Sequence, residues 1–325
     1  MNCIREWIRI MEQEESYTSK ADITAMAFIP VYGRENGNVL TTVRTEIPGK
    51  NVLHERLCCD KLNSAVLCNN VRTSKMILFV TSSPVGTYRS NEPVNYSGFN
   101  PANGMVNELQ RFWKENSRCL LISAFPDEYA LNDIMRRDFE TIVKDTGLSA
   151  ACMDLCDKRN GEMMANALGS YDFVILGGGH VPTENAFFSQ IGLREHFKDF
   201  DGIAMGISAG SMNCADLVYA QPELPGEATD PSYRKFIPGL GLTEYNILPH
   251  YHAVKNDLVD GLRLMEDITY PDSIGRIFYA IPDGSYLLQT DFDAAIHGEA
   301  YRIQDGQIKK ISDNGSVYVL KPFSE

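Results

Sequence analysis

Ile203-Ala204-Met205-Gly206-Ile207-Ser208-Ala209-Gly210-Ser211 is the stretch on which the reading of this chain turns. Three apolar residues read as a buried strand and run into Gly206-Ile207-Ser208-Ala209-Gly210, and the pattern that follows predicts a helix over Ser211 to Val218. A serine at such a strand-to-helix turn presents its hydroxyl, because small flanking residues let the backbone bend and let a substrate approach. The helix start behind it offers unpaired N–H groups and a positive dipole end, suited to a developing oxyanion. The same residues also make a plain glycine-rich connection with Ser208 as a helix cap. Their surroundings decide between the two.

The surroundings are a regular alternation. Met76 to Val80, Cys119 to Ile122, Ala150 to Leu155 and Phe173 to Leu176 read as strands. Met105 to Trp113, Leu131 to Val143, Glu162 to Leu168 and Glu184 to Phe197 read as the intervening helices. Strands apolar on both faces and separated by helices predict a mostly parallel sheet covered on both sides, a three-layer α/β/α fold. Towards the C-terminus, Ile277 to Ile281, Tyr286 to Gln289, Ala300 to Ile303, Gln307 to Ile311 and Val317 to Leu320 are short strands with turns at Asp305-Gly306 and Asn314-Gly315. Such turns favour hairpins, so an antiparallel edge is expected to close the sheet.

The chain of 325 residues has a net charge of −13, with 44% hydrophobic and 22% charged residues. That composition supports a sizeable core. The acidic balance argues against nucleic acid or an anionic membrane as partner, since both need clustered Lys and Arg. Apolar runs fall short of the roughly 20 residues of a membrane span. The N-terminus is acidic and lacks the apolar core of a secretory signal, so a cytoplasmic protein is expected. Eight cysteines lie at positions 3, 58, 59, 68, 119, 152, 156 and 214, without CxxC pairs, and read as reduced small hydrophobes. Residues 1–73 read as an N-terminal extension of unknown role, with an amphipathic stretch at Ile4 to Met11 and a short strand at Val39 to Val43. His54, Cys58, Cys59 and Cys68 fit no zinc spacing. No metal and no cofactor are expected. Residues 74–325 carry the chemistry.

Four features there point to nucleophilic catalysis. Ser208 needs an adjacent base to be a useful nucleophile at neutral pH. Leu176-Gly177-Gly178-Gly179-His180 ends the preceding strand, where open parallel sheets bind ligands; its exposed N–H groups suit an oxyanion, though a phosphate cradle or a simple turn competes. Of six histidines, His250 in Leu248-Pro249-His250 follows an apolar run, and His252 shares its face if the chain is extended. Asp283 in Pro282-Asp283-Gly284 ends another strand; Glu223 and Asp216 are rival carboxylates nearer Ser208 in sequence. The order Ser208, His250, Asp283 departs from the Ser, Asp/Glu, His order of the α/β-hydrolases.

With these motifs in place, residues 74–325 resemble the peptidase E and cyanophycinase family of serine peptidases. The fold of that family is similar to class I glutamine amidotransferases and is flavodoxin-like. The resemblance rests on Gly177-Gly178-Gly179, Gly206 to Gly210, Pro249-His250 and Pro282-Asp283-Gly284 in that order. It implies Ser208 as nucleophile, His250 as base then acid, Asp283 as its orienter, with Glu223 the alternative acid, and an oxyanion hole at Gly179 and Ala209. It further implies a small peptide substrate, with Gly178, His180 and Arg263 as candidate binding residues, and a dipeptidase preference for N-terminal aspartyl peptides. A homodimer is compatible with it. The chain differs from the family pattern in having His180 where Asn often follows the glycines and Asp283 where Glu is common. A cyanophycinase-like amide hydrolase, or a binding protein that keeps the pocket, is the alternative.

Overall fold

The computed structural model describes residues 27–35, 38–46, 76–89, 92–95 and 97–321. Met1–Arg72 and Thr73–Glu325 form two compact units. In the first, Ala27–Glu35 and Asn38–Glu46 pair as an antiparallel hairpin, which contains the short strand expected at Val39 to Val43. Ile4 to Met11, His54, Cys58, Cys59 and Cys68 lie outside the described residues.

The second unit is built on an eight-stranded sheet. Its parallel part consists of β1 (Ile77–Thr81), β2 (Ser117–Ile122), β3 (Ala150–Cys156), β4 (Phe173–Leu176) and β5 (Ile203–Ile207). Alternation along each strand sends side chains to opposite faces, and both faces are covered. Leu78, Val80, Leu120, Ile122, Val174 and Leu176 belong to one core cluster. Phe79, Cys119, Leu121, Phe173, Ile175 and Met205 belong to the other. Helices α1 (Met105–Phe112) and α2 (Tyr129–Asp145) pack on the second through Met105, Leu109 and Val143. Helices α3 (Gly161–Asn166) and α4 (Val181–Gln190) pack on the first through Met164, Ala165, Phe187 and Phe188. The result is the α/β/α sandwich that the pattern predicts. No helix among the described residues is long and apolar enough to cross a membrane.

The C-terminal third departs from the expected single sheet. It contributes β6 (Asn246–Leu248), β7 (Ile277–Ala280), β8 (Tyr286–Gln289), β9 (Ala294–His297), β10 (Ala300–Gln304), β11 (Gln307–Ser312) and β12 (Val317–Val319). Only β8, β9 and β12 extend the main sheet, giving the order β12-β9-β8-β1-β5-β4-β2-β3. The others form a separate four-stranded sheet, β6-β7-β10-β11, in which β6 and β7 are parallel. The strand β9, Ala-Ala-Ile-His, is missing from the sequence reading because two alanines carry little strand signal.

Two helix boundaries also differ from expectation. The helix foreseen over Glu184 to Phe197 stops at Gln190, and Gly192 adopts φ 63° before the short helix Leu193–His196; a left-handed glycine is a common helix terminator. The helix foreseen over Ser211 to Val218 is α5 (Ala209–Asn213), and Leu217–Tyr219 instead pairs antiparallel with Phe236–Pro238. Val218 and Tyr219 are buried there, and a Leu-Val-Tyr run suits a strand.

The sheet order matters for the site. β1, β5 and β4 are neighbours, so Ser82, Ser208 and the Gly177–Gly179 turn leave adjacent strand ends on one edge, where α/β sheets bind ligands. Helix α5 starts so close to β4 that a Cβ on Gly210 would stand 2.4 Å from the Leu176 carbonyl oxygen and 2.5 Å from that of Gly177. The Gly210 N–H donates to the latter at 3.1 Å. Gly210→Ala must push backbone apart, and is expected to lower unfolding free energy by about 1–3 kcal/mol. Urea unfolding checks this: a midpoint equal to wild type would contradict the tight approach.

Candidate active site

Ser208 sits between β5 and α5 with φ 52° and ψ −113°, a conformation L-residues rarely adopt. The turn is held on both sides. Ser208 N–H donates to Thr81 O at 3.1 Å, and Met212 N–H donates back to Ser208 O at 3.1 Å. Ser211 clamps the end of β1: its hydroxyl donates to Thr81 O at 2.6 Å and accepts from Thr81 N–H at 2.9 Å. Strain of this kind persists where surrounding bonds over-determine it, often at functional sites.

The second sheet brings the partners. β6 and β7 run parallel with Leu248 opposite Ala280, so Pro249-His250 and Pro282-Asp283 leave neighbouring strand ends. His250 also has positive φ, 56°. Its Nδ1 lies 2.7 Å from Asp283 Oδ1 and its Nε2 lies 2.9 Å from Ser208 Oγ. A carboxylate only accepts, so Nδ1–H donates to Asp283 and the Nε2 lone pair is left to accept the Ser208 hydroxyl. Asp283 is 4% exposed and His250 31%, so the carboxylate is sealed while the ring reaches the open side.

Ser82, which follows β1 and which the sequence analysis does not single out, completes this arrangement. It is fully buried. Its hydroxyl donates to Asp283 Oδ1 at 2.5 Å and accepts from the His250 backbone N–H at 2.7 Å. One side chain from β1 thus locates both the acid and the backbone of the base. Its position directly after an apolar strand, at the edge where the sheet binds ligands, was the available signal.

A cavity of about 180 Å³ opens beside these residues, with Gly179, Ser208, Ala209 and His250 in its wall. Gly178 closes up on the elbow: a Cβ there would lie 3.1 Å from Ser208 Cβ. Among the described residues, neither the Gly179 nor the Ala209 N–H donates to a protein acceptor, so both remain available to a ligand. His180 is not among the residues that line this cavity. Its Nδ1 meets Thr183 Oγ1 and its Nε2 meets Glu227 Oε1, each at 2.7 Å. Glu227 also accepts from the N–H groups of Glu223 and Leu224. Burial opposes its ionisation, but these bonds and His180 together hold its carboxyl below the usual range.

The other sequence candidates fall into place around this core. Glu223 lines the cavity but does not bond His250, whose Nδ1 faces Asp283. Desolvation pushes the Glu223 carboxyl up; His180 and His250 oppose this and Glu227 reinforces it. Asp216 pairs with Arg194 at 2.5 Å and His252 with Glu299 at 3.3 Å, both away from Ser208. Arg263 is not in the cavity wall: its guanidinium grips Asp267, with Nε at 3.0 Å and Nη2 at 2.6 Å. The Cys214 thiol is buried against Gly210 O, and burial pushes it far above the usual thiol range, so it is no nucleophile. No group of three or more His, Cys, Asp or Glu placed to hold a metal ion occurs among the described residues.

No protein-family model matches the chain, and no curated protein matches it. Among solved structures, a peptidase from an acI-B1 Actinobacterium is similar at a TM-score of 0.50 and 16% identity, with 75% of this chain and 96% of that one covered. The two chains share a fold. A candidate peptidase E protein from Listeria monocytogenes EGD-e aligns at a TM-score of 0.46 and 14% identity over 73% of this chain and 99% of that one.

One further ionisable group lies behind the elbow. Glu184 of α4 is fully buried; its Oε2 accepts from Asn213 Nδ2 of α5 at 3.0 Å, while Oε1 has no partner among the described residues. Burial pushes its carboxyl well above the usual range, only partly offset by Asn213. With a raised folded-state pKa, the native state keeps a proton that the unfolded chain releases above about pH 4.3. The stability is therefore fully present below that pH and is lost as pH rises towards the folded pKa. Glu184→Gln, neutral throughout, is expected to equal wild type at about pH 4 and exceed it at about pH 8. Urea titrations across that range test this; parallel curves would contradict a neutral buried Glu184.

Proposed function

We propose that the protein is a serine-type peptidase that cleaves short peptides through an acyl-enzyme on Ser208. The observation that carries this reading is the position of His250, 2.9 Å from the Ser208 hydroxyl on one side and 2.7 Å from Asp283 on the other. The peptidase-like fold is consistent with it.

In the proposed reaction the Ser208 hydroxyl oxygen attacks the scissile carbonyl carbon while its proton passes to His250 Nε2. Charge on the carbonyl oxygen is received by the free N–H groups of Gly179 and Ala209. Asp283, itself held by Ser82, fixes the imidazole tautomer and stabilises the imidazolium. His250 then gives the proton to the leaving nitrogen, the C–N bond breaks, and the acyl group stays on Ser208. Water, deprotonated by His250, attacks the ester; Ser208 leaves with the proton and the product carboxylate departs. The preference for acidic N-terminal residues that the family resemblance implies finds no Lys or Arg among the described residues that line the cavity. Arg263 is engaged by Asp267.

Turnover of a mixed panel of dipeptides and tripeptides by the purified chain tests the reading. Ser208→Ala and His250→Ala are each expected to lower kcat by roughly a thousandfold or more. Ser82→Ala keeps all three groups and only loosens their orientation, so it is expected to fall between these and wild type. Unchanged turnover in Ser208→Ala would overturn the assignment. Loss in His252→Ala with none in His250→Ala would move the base.

A further inference from the structure

The cavity beside Ser208 has an uneven lining. Its inner wall is apolar: Val181, Met212, Val259 and Leu264 are all buried and all face it. At its exposed mouth stand two carboxylates, Glu223 and Asp257. Neither carboxylate accepts a hydrogen bond or forms an ion pair among the described residues, and the charges that act on Glu223 from a distance are those of His180 and His250. Glu227, just behind, differs: it is occupied by His180 and two backbone N–H groups. No Lys or Arg is among the described residues that line the cavity, and the neighbouring Arg263 is neutralised by Asp267.

From this lining we infer that the cavity selects substrates by a basic side chain, Lys or Arg, whose stem lies on the apolar wall and whose cation meets Glu223 and Asp257. The inference rests on the serine-peptidase reading for its role in cleavage, though not for binding itself. Long basic side chains bury their methylenes and keep the charge at a wet rim, which is the order of surfaces here. At about 180 Å³ the cavity is smaller than the ~300–1,000 Å³ of sites for drug-sized ligands, a size for one side chain. An acidic side chain would meet two like charges with no Lys or Arg among the described lining residues to offset them, a repulsion that disfavours it. An apolar side chain would use the wall and leave both carboxylates without a partner. Glu223 is already disfavoured as an anion by its surroundings, and a bound cation would relieve that. The charge on the site thus points away from aspartyl substrates.

The test uses the full chain and tripeptides that differ only in the residue on the acyl side of the scissile bond: Lys, Arg, Leu or Asp. Each is prepared with a free and with an acetylated N-terminus. Wild type is expected to show kcat/KM for Lys and Arg roughly fivefold or more above Leu, a modest ratio because the pairs are partly exposed, and Asp lowest. Glu223→Gln and Asp257→Asn should each narrow the Lys-to-Leu ratio, and Glu223→Lys should raise Asp above Lys. Both sites are exposed, so these variants are expected to fold. Calorimetric binding of the same peptides to Ser208→Ala separates the two claims. Preferential Lys binding without any turnover by wild type overturns the peptidase reading and leaves the selectivity standing. Equal or better binding of Asp overturns the selectivity and leaves the peptidase standing. Equal binding of the Lys and Leu peptides, lost for both on acetylation, assigns the cation to the peptide α-amino group and overturns the side-chain assignment.

Discussion

The imidazole of His250 is the point at which two sheets of this molecule meet. Its Nε2 faces a serine at the end of the main sheet, and its Nδ1 faces an aspartate delivered by the small one. Because β6 and β7 are parallel neighbours, His250 and Asp283 leave their strands side by side and need little further arrangement. The alignment of Ser208 with them depends on how the two sheets are tied, and Ser82 is a tie of that kind. It leaves β1 in the main sheet and bonds both residues of the small one. A buried hydroxyl with both its donor and its acceptor engaged is costly to move, so relative sliding of the sheets is resisted where the proposed chemistry would need it.

That arrangement explains the local concessions in the chain. Ser208 and His250 both take positive φ, unfavourable for residues with a side chain. Neither is held by its own sequence neighbours alone. Thr81, Ser211 and Met212 pin the serine turn, and the Ser82 hydroxyl accepts the His250 N–H. Glycine at 210 lets α5 approach β4 closely enough for its N–H to reach Gly177 O, while the Ala209 N–H donates to no protein acceptor among the described residues. Sharp turns and close backbone contacts together free the donors and the hydroxyl that a substrate would use.

Much of this was legible in the sequence, for physical reasons. Strands buried on both faces are short apolar runs, and Met76 to Val80, Cys119 to Ile122 and Phe173 to Leu176 read correctly to within a residue or two. Ser208, His250 and Asp283 share one signature, a polar residue directly after an apolar run, which is where a parallel sheet places ligand-binding groups. Ser82 carries the same signature and was passed over, because its partners lie 168 and 201 residues away and no local pattern reports them. The division of the C-terminal strands into two sheets was likewise hidden, since strand length and hairpin turns do not specify which edge a strand joins. The cavity mouth was hidden for the same reason: Glu223 and Asp257 come from different segments, and only the fold puts them beside one apolar wall.

The central claim is that His250 activates Ser208. Labelling with a fluorophosphonate, followed by mass mapping of the adduct, tests it without any choice of peptide. The account predicts a single adduct on Ser208 in wild type, and labelling slowed by roughly two orders of magnitude or more in His250→Ala, since an unassisted serine hydroxyl is a weak nucleophile at neutral pH. An adduct at another residue, or equal labelling of Ser208 with and without His250, would contradict it.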